Sequence, residues 1–227
     1  MRPVYRSTKN KAYDPYGTAK PELVDELGDY CSYCGKQVPW SALEVEHIYP
    51  KSLPKYAAYE TNWNNFLLAC KSCNTIKGAK DVGNLKPYLP HRTNLLAYID
   101  ILNGGLIVIK KGLTNREYKR IEEYIKMVGL DRCKEYSNVS SKDDRWIYRK
   151  RTYDIAVRQL GKYEQNPRYD LENMMIIAKG KGFFSVWYTV FRNHPKVLRL
   201  LIHNFGTSAG TGTQRNHFDR NYNPIKR

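Results

Sequence analysis

The sequence predicts an α+β fold, with a core of short strands and turns followed by a mostly helical, basic C-terminal region. Two cysteine pairs, "CSYC" and "CKSC", enclose a turn-rich stretch in the first part of the chain. Further along, apolar residues recur at helical spacing between residues typical of helix ends. Basic residues are concentrated there as well: residues 91–227 carry 26 Lys and Arg against 13 Asp and Glu, whereas residues 1–90 carry 12 against 9.

The composition argues against a membrane protein and favours a polyanionic partner. With 227 residues the chain can bury a real core, as one large domain or two small ones. Mean hydropathy is −0.66, and no apolar run approaches the ~20 residues of a membrane helix. The first residues lack the apolar core of a signal peptide, so we expect a cytoplasmic protein without membrane contact. The net charge of +16 favours nucleic acid as partner, because each neutralised phosphate releases counterions, although a basic surface can also serve solubility alone.

We expect four segments along the chain. Residues 1–28 form an N-terminal segment with a short helix, because Pro21 suits its first turn and Gly28 its end. Residues 29–90 contain the cysteine pairs and form the zinc-bound domain. Residues 91–205 form a mainly helical basic domain. Residues 206–227 comprise a flexible Gly/Thr linker and a C-terminal tail.

The second part of the chain contains the clearest local signals. The β-branched stretch "LIVIKK" at residues 106–111 predicts a strand. Thr114 and Glu117 form a capping box at the start of a helix. Residues 144–163 predict a second helix, with apolar residues on one face and most of the basic residues elsewhere. Two buried helices follow, separated at Pro195.

The four paired cysteines predict a structural zinc site. Cys31 and Cys34, like Cys70 and Cys73, are separated by two residues, the spacing of a turn whose two sulfurs meet one metal. Four thiolates give a closed tetrahedral site with no open coordination position. Two redox CxxC motifs are the alternative. That alternative is weaker, because two such motifs at either end of one compact segment are best explained by a shared metal.

The stretch "LEVEHIYPKS" between the cysteine pairs contains the residue types of a hydrolytic site. Glu46 and His47 are adjacent, and a histidine with an ordinary pKa of about 6.5 is a suitable general base. Asn74 and Lys77 follow the last cysteine at helical spacing, so they can share a face of a short helix. A carboxylate and an amide oxygen can hold a Mg²⁺-like ion. Lys51 and Lys77 are the candidate nucleic-acid contacts, because a lysine can meet a phosphate oxygen.

The motif "CSYC … VEHIYPKS … NNFLLACKSCNTIKG" resembles the HNH endonucleases of the ββα-metal superfamily, in the variant with a four-cysteine zinc site. The resemblance covers about residues 29–80 and implies a metal-dependent endonuclease acting on nucleic acid, with DNA the favoured target. By position it implies that His47 is the general base and that Asn65 fixes this base. It also implies that Glu46 and Asn74 hold the catalytic Mg²⁺ or Mn²⁺, Asn74 standing where the family often has His.

The layout of the whole chain is similar to the PtuB family, the HNH components of Septu anti-phage defence systems, which also occur with some retrons. An opening "MRPVYR", a central zinc-bound HNH motif, a helical basic region and the tail "NHFDRNYNPIKR" carry this likeness. It implies an ABC/SMC-like ATPase partner of the PtuA type, and retron components in some systems. It also implies nuclease action during infection.

A non-catalytic zinc module that binds nucleic acid or scaffolds a partner is the alternative to an enzyme. Such a module would not need Glu46, His47 and Asn74 together. A nuclease subunit that is active only inside a complex is a third interpretation. The basic helices from Arg145 onward leave a related question open, because they suit a phosphate backbone, a partner protein or plain solvent contact.

Overall fold

The computed structural model describes residues 1–133, 143–166, 168–206 and 215–226. It is an α+β structure with small sheets, as the sequence predicts. Most of the stretch predicted to be a Gly/Thr linker lies outside the described residues. The division into four segments stays a prediction from the sequence.

Within the described residues the α-helices are α1 (Lys20–Leu27), α2 (Lys71–Lys77), α3 (Asn115–Val128), α4 (Arg145–Gln165), α5 (Leu171–Lys181), α6 (Phe184–Val190) and α7 (Pro195–Asn204). The strands are β1 (Leu43–His47), β2 (Phe66–Cys70), β3 (Ile99–Leu102) and β4 (Leu106–Ile109). β1 pairs antiparallel with β2, and β3 pairs antiparallel with β4, in two separate two-stranded sheets.

Most of the predicted elements are confirmed. The capping box of α3 is present, with the backbone N–H of Glu117 donating to the Thr114 hydroxyl at 3.2 Å. α7 begins at Pro195, and β4 is shorter than predicted because it ends at Ile109. The sequence pattern does not predict β3 and α5. β3 has only four residues, and α5 lacks a one-sided apolar stripe, since its Ile176 is 65% exposed.

β1, β2 and α2 form a compact ββα unit. His47, the last residue of β1, pairs with Phe66, the first residue of β2. Residues 48–65 form the loop that connects the two strands at this end. α2 begins at the residue after Cys70, so the last residue of β2 and Cys73 in the helix stay close together. The connecting loop contains the 3₁₀ segments Pro54–Tyr59 and Trp63–Asn65.

The C-terminal helical region packs directly on the turn that holds the first cysteine pair. The Phe183 N–H donates to the Gly35 carbonyl at 2.6 Å. A Cβ at Gly182 would lie 2.4 Å from the Gln37 nitrogen and 2.7 Å from the Gly35 oxygen, so this close approach requires glycine. Buried apolar residues of the N-terminal segment, the ββα unit and the helical region form one cluster. No helix within the described ranges is long and apolar enough to cross a membrane.

Candidate metal centre and histidine site

The sulfurs of the four paired cysteines lie within 4.8 Å of one another. Cys31 and Cys34 come from the turn after α1, Cys70 ends β2 and Cys73 lies in α2. All four are buried, and the Cys34 and Cys70 sulfurs are 3.8 Å apart. A tetrahedral ion with Zn–S bonds of about 2.3 Å requires sulfurs separated by about 3.8 Å. The donor set therefore fits one zinc ion.

These thiols resist ionising together when no cation is bound. Crowding by the Cys31 and Cys34 sulfurs raises the pKa of the Cys70 thiol, and burial raises the pKa of Cys73. Burial also disfavours the Cys34 thiolate, but hydrogen bonds from the other three sulfurs outweigh it and lower the pKa of Cys34. A bound Zn²⁺ ion would stabilise all four thiolates, and its binding would release the protons of the thiols.

Two arginines of α4 lie against the cysteine cluster rather than on the surface. Arg145 Nη1 donates to Cys73 Sγ at 3.0 Å, and its Nη2 pairs with Asp143 at 2.7 Å. Arg149 is buried close by and donates to the Gly105 carbonyl. At 3% and 4% exposure these two arginines are unavailable to a phosphate backbone, one of the uses that the sequence left open. Next to thiolates, their positive charges offset part of the charge of a four-thiolate zinc site.

His47 ends β1 with a buried and anchored imidazole. Its Nε2 lies 2.8 Å from the Glu60 carbonyl oxygen, and the Tyr16 and Phe66 rings contact it edge-to-face at centroid distances of 4.7 and 5.3 Å. Because a carbonyl only accepts, Nε2 carries the hydrogen and Nδ1 keeps its lone pair. Burial lowers the pKa of His47 below the usual value of about 6.5. The imidazole is therefore neutral at pH 7, as a general base must be.

Asn65 holds the loop that follows His47. Its Oδ1 accepts from the Tyr49 N–H at 2.8 Å, and its Nδ2 donates to the Tyr49 and Tyr59 carbonyls, both at 3.0 Å. Glu60, which anchors the imidazole, is the next residue after Tyr59. In the described part of the chain no hydrogen bond joins the Asn65 side chain to the imidazole. Any fixing of His47 by Asn65 therefore acts through the loop backbone.

Glu46 projects to the opposite face of β1 from His47, because successive residues of a strand alternate. Its Oε1 accepts from Lys77 Nζ at 2.6 Å and from the Tyr33 hydroxyl at 3.2 Å. Burial raises the pKa of Glu46, against the opposing effect of the Lys77 ammonium. Lys77 also donates to the His47 carbonyl at 2.7 Å.

The sequence predicts that Lys77 contacts a phosphate, but the structure buries its side chain. Its side chain is 1% exposed, and its charge is already paired with Glu46. A lysine in this environment stabilises the β1–α2 interface and does not reach a phosphate from this position. Contact of Lys77 with nucleic acid stays a prediction from the sequence, and it would require the side chain to leave Glu46 and the interior.

Asn74 lies on the same face of α2 as Lys77 and meets Glu44 rather than Glu46. Its Nδ2 donates to Glu44 Oε2 at 2.5 Å. The sequence interpretation missed Glu44, although the alternation of "EVEH" places Glu44 and Glu46 on one strand face. Two carboxylates and an amide oxygen between β1 and α2 are the hard donors that suit Mg²⁺ or Mn²⁺. Glu46 would have to exchange Lys77 for such an ion.

Lys51 lies on the His47 side of the hairpin and is accessible. Its ammonium is 4.4 Å from the centroid of the Tyr16 ring, which itself packs on His47. It pairs with Glu60 Oε1 at 2.7 Å, and its side chain is 40% exposed. Unlike Lys77, it is free to exchange this partner for a phosphate oxygen.

Comparison with known protein families identifies a domain within the chain. Residues 31–80 match the family model for HNH endonucleases. The match includes both cysteine pairs, β1 with His47, the connecting loop and α2. No curated protein matches the chain.

Proposed function

We propose that this chain, which carries an HNH endonuclease domain at residues 31–80, is a metal-dependent endonuclease that hydrolyses phosphodiester bonds of nucleic acid, with DNA the favoured target. The observation that carries the proposal is the state of His47. Its Nε2 is held by the Glu60 carbonyl at 2.8 Å, and burial lowers its pKa, which favours the neutral form whose Nδ1 can accept a proton. A non-catalytic nucleic-acid-binding or scaffold module would not require this arrangement.

Each remaining residue of the site has a role in this mechanism. His47 Nδ1 takes a proton from the attacking water, while Asn65 holds the loop that anchors the imidazole. Glu46 and Asn74 would hold the divalent ion, once Glu46 exchanges Lys77 for it, and Glu44 would be an additional oxygen donor. Bound Mg²⁺ or Mn²⁺ supplies neutralisation of charge on the phosphate and on the leaving oxygen. Lys51 contacts a phosphate of the substrate.

Zinc on the four cysteines has a structural role in this proposal. A closed tetrahedral site has no position for water or substrate, so it does not take part in hydrolysis. It joins the turn after α1 to the end of β2 and to α2, and thereby fixes the ββα unit that presents His47.

The decisive test is cleavage of supercoiled plasmid by the purified, zinc-loaded protein with Mg²⁺. We expect nicking or linearisation that EDTA suppresses and that His47→Ala reduces by at least ~100-fold at unchanged zinc content. His203→Ala removes an exposed histidine elsewhere and should cleave like the parent protein. Equal cleavage by His47→Ala and the parent would exclude His47 as the base.

We further propose a defence role with partners, which rests on the sequence layout alone. The similarity to the PtuB family suggests a cytoplasmic complex with an ABC/SMC-like ATPase of the PtuA type, and with retron components in some systems. Co-expression with such an ATPase should give co-purification and should change the cleavage rate. If the two proteins neither co-purify nor change the cleavage rate together, the proposed defence complex is excluded, whereas the nuclease proposal is unaffected.

A further inference from the structure

A groove of about 620 Å³ lies between the first cysteine turn, α4 and the turn from α5 to α6. It contains none of the residues assigned above to catalysis or metal binding. Lys36 contributes from the cysteine turn, Arg151 and Arg158 from α4, and Lys181 from the end of α5. Four cations from three separate segments of the chain thus converge on one groove.

The positive charge of this groove is largely uncompensated. In the part of the chain that the structure describes, Arg151, Arg158 and Lys181 form no ion pair with an acidic side chain. Lys36 pairs with Asp144 at 2.7 Å. Asp154, the acidic residue of the lining, is paired with Lys150 at 3.3 Å. A surface with several unpaired cations attracts a polyanion.

The helical repeat of α4 separates its arginines into two sets. Arg145 and Arg149, four residues apart, face the cysteine cluster and the protein interior. Arg151 and Arg158, seven residues apart, share the groove face. The first set is buried against the fold, whereas the second set is exposed and, among the described residues, forms no ion pair with an acidic side chain.

Tyr148 brings cations of two segments together at one end of the groove. The Lys36 ammonium lies 4.3 Å from the centroid of the Tyr148 ring, and the Arg151 guanidinium lies 5.8 Å from it. Both distances are within the range of a cation–π contact. The ring thereby contacts a cation of the cysteine turn and a cation of α4.

We propose that this groove binds the phosphate backbone of nucleic acid, as an extended contact for the strand that reaches the HNH domain. Guanidinium groups match phosphate oxygens in a two-pronged geometry, and two of the four cations are arginines. Lys36 and Gln37 of the lining belong to the matched HNH segment, so the groove is continuous with that domain. The proposal rests on nucleic acid being the substrate.

The test is equilibrium binding of a fluorescent oligonucleotide by the zinc-loaded His47→Ala full-length protein, in single-stranded and duplex forms, across a KCl series. The groove variant is Arg151→Glu with Arg158→Glu. The matched control is Arg116→Glu with Lys119→Glu, two exposed residues of α3 that give the same change in net charge. Circular dichroism and zinc content verify that both variants remain folded.

We expect the groove variant to bind at least ~10-fold more weakly near 0.1 M salt, and the slope of log K against log salt to fall in magnitude by about 2. The control should lose less than about threefold affinity. Arg151→Lys with Arg158→Lys keeps the charges and should retain most of the salt slope.

Two outcomes would overturn the proposal. Equal losses in the groove variant and the control would mean that overall charge, not this groove, attracts nucleic acid. Unchanged binding in the groove variant would instead favour an acidic protein as the occupant. Because binding is measured without cleavage, a failed plasmid assay does not affect this result. If the parent protein cleaves plasmid but the groove variant binds as the parent does, the proposal for the groove is overturned and the nuclease proposal stands.

Discussion

At the scale of single residues, the adjacent Glu46 and His47 have different environments because strand neighbours face opposite sides. His47 packs between Tyr16 and Phe66, with its Nε2 held by a carbonyl. Glu46 lies at the interface with α2 and is paired with Lys77. The sequence identified both residues, but it could not show which partner each would meet.

The lowered pKa of His47 predicts the pH dependence of cleavage. A general base works in its neutral form, and burial keeps His47 neutral to a lower pH than an ordinary histidine. We expect kcat/KM to rise with pH, to reach half its maximum below pH ~6.5, and to be level through neutrality. The measurement is cleavage from pH 5 to 8 at fixed ionic strength, with zinc content checked at each pH. A half-maximum above the ordinary histidine value would contradict the assignment.

The buried Lys77–Glu46 pair predicts a large loss of stability when one partner is removed. The two side chains are 1% and 4% exposed, so Lys77→Met leaves a carboxylate without its counterion in the interior. We expect the free energy of unfolding to fall by about 3–5 kcal/mol, measured by urea denaturation of zinc-loaded protein.

Two comparisons make this stability prediction specific. Lys71→Met, on the same helix but 82% exposed, should change the free energy of unfolding by less than about 0.5 kcal/mol. Lys77→Met combined with Glu46→Gln should recover part of the loss, because no unpaired charge remains buried. Similar losses for Lys77→Met and Lys71→Met would show that the pair contributes little.

At the scale of elements, local signals predicted α3 and the boundary at Pro195 well, because capping and proline effects act within a few residues. The resemblance to the HNH motif, which includes the cysteine pairs, likewise located the ββα unit. β3 was too short for a pattern, and α5 exposes Ile176 while burying Met174 and Met175, so neither showed a regular stripe. The local sequence pattern also could not predict which arginines of α4 face the cysteines, since only the packing of the whole fold decides this.

The contact between α4 and the cysteine cluster predicts an effect of Arg145 on zinc retention. Arg145 Nη1 donates to Cys73 Sγ at 3.0 Å, and hydrogen bonds to a metal ligand typically account for a 10–100-fold difference in metal affinity. We expect Arg145→Met to raise the rate of zinc transfer to a coloured chelator by about tenfold or more. Arg151→Met, an exposed arginine of the same helix, should match the parent protein. Equal rates would mean that the contact does not stabilise the zinc site.

At the scale of the whole molecule, the helical region and the ββα unit share one core. The Phe183 N–H donates to the Gly35 carbonyl, and the Arg145 side chain reaches Cys73 across 72 positions of the sequence. Composition and spacing predicted both parts, but contacts over such separations leave no local pattern. The expected boundary near residue 90 stays a prediction from the sequence, and the buried cluster contains residues from both sides of it.

This shared core predicts that zinc removal destabilises the helical region together with the ββα unit. Four ionisable thiols without their cation cannot keep the cysteine turn in place, and that turn supports the Phe183 backbone and α4. We expect a zinc chelator to lower the midpoint of thermal unfolding, with helical circular dichroism and tryptophan fluorescence lost in one coincident transition. Hydrogen exchange would then rise in α4 and α6 as well as in α2. If the helical signal instead persisted to the melting temperature of the zinc-loaded protein, the C-terminal helices would form an independent folding unit, and the zinc site would support the ββα unit alone.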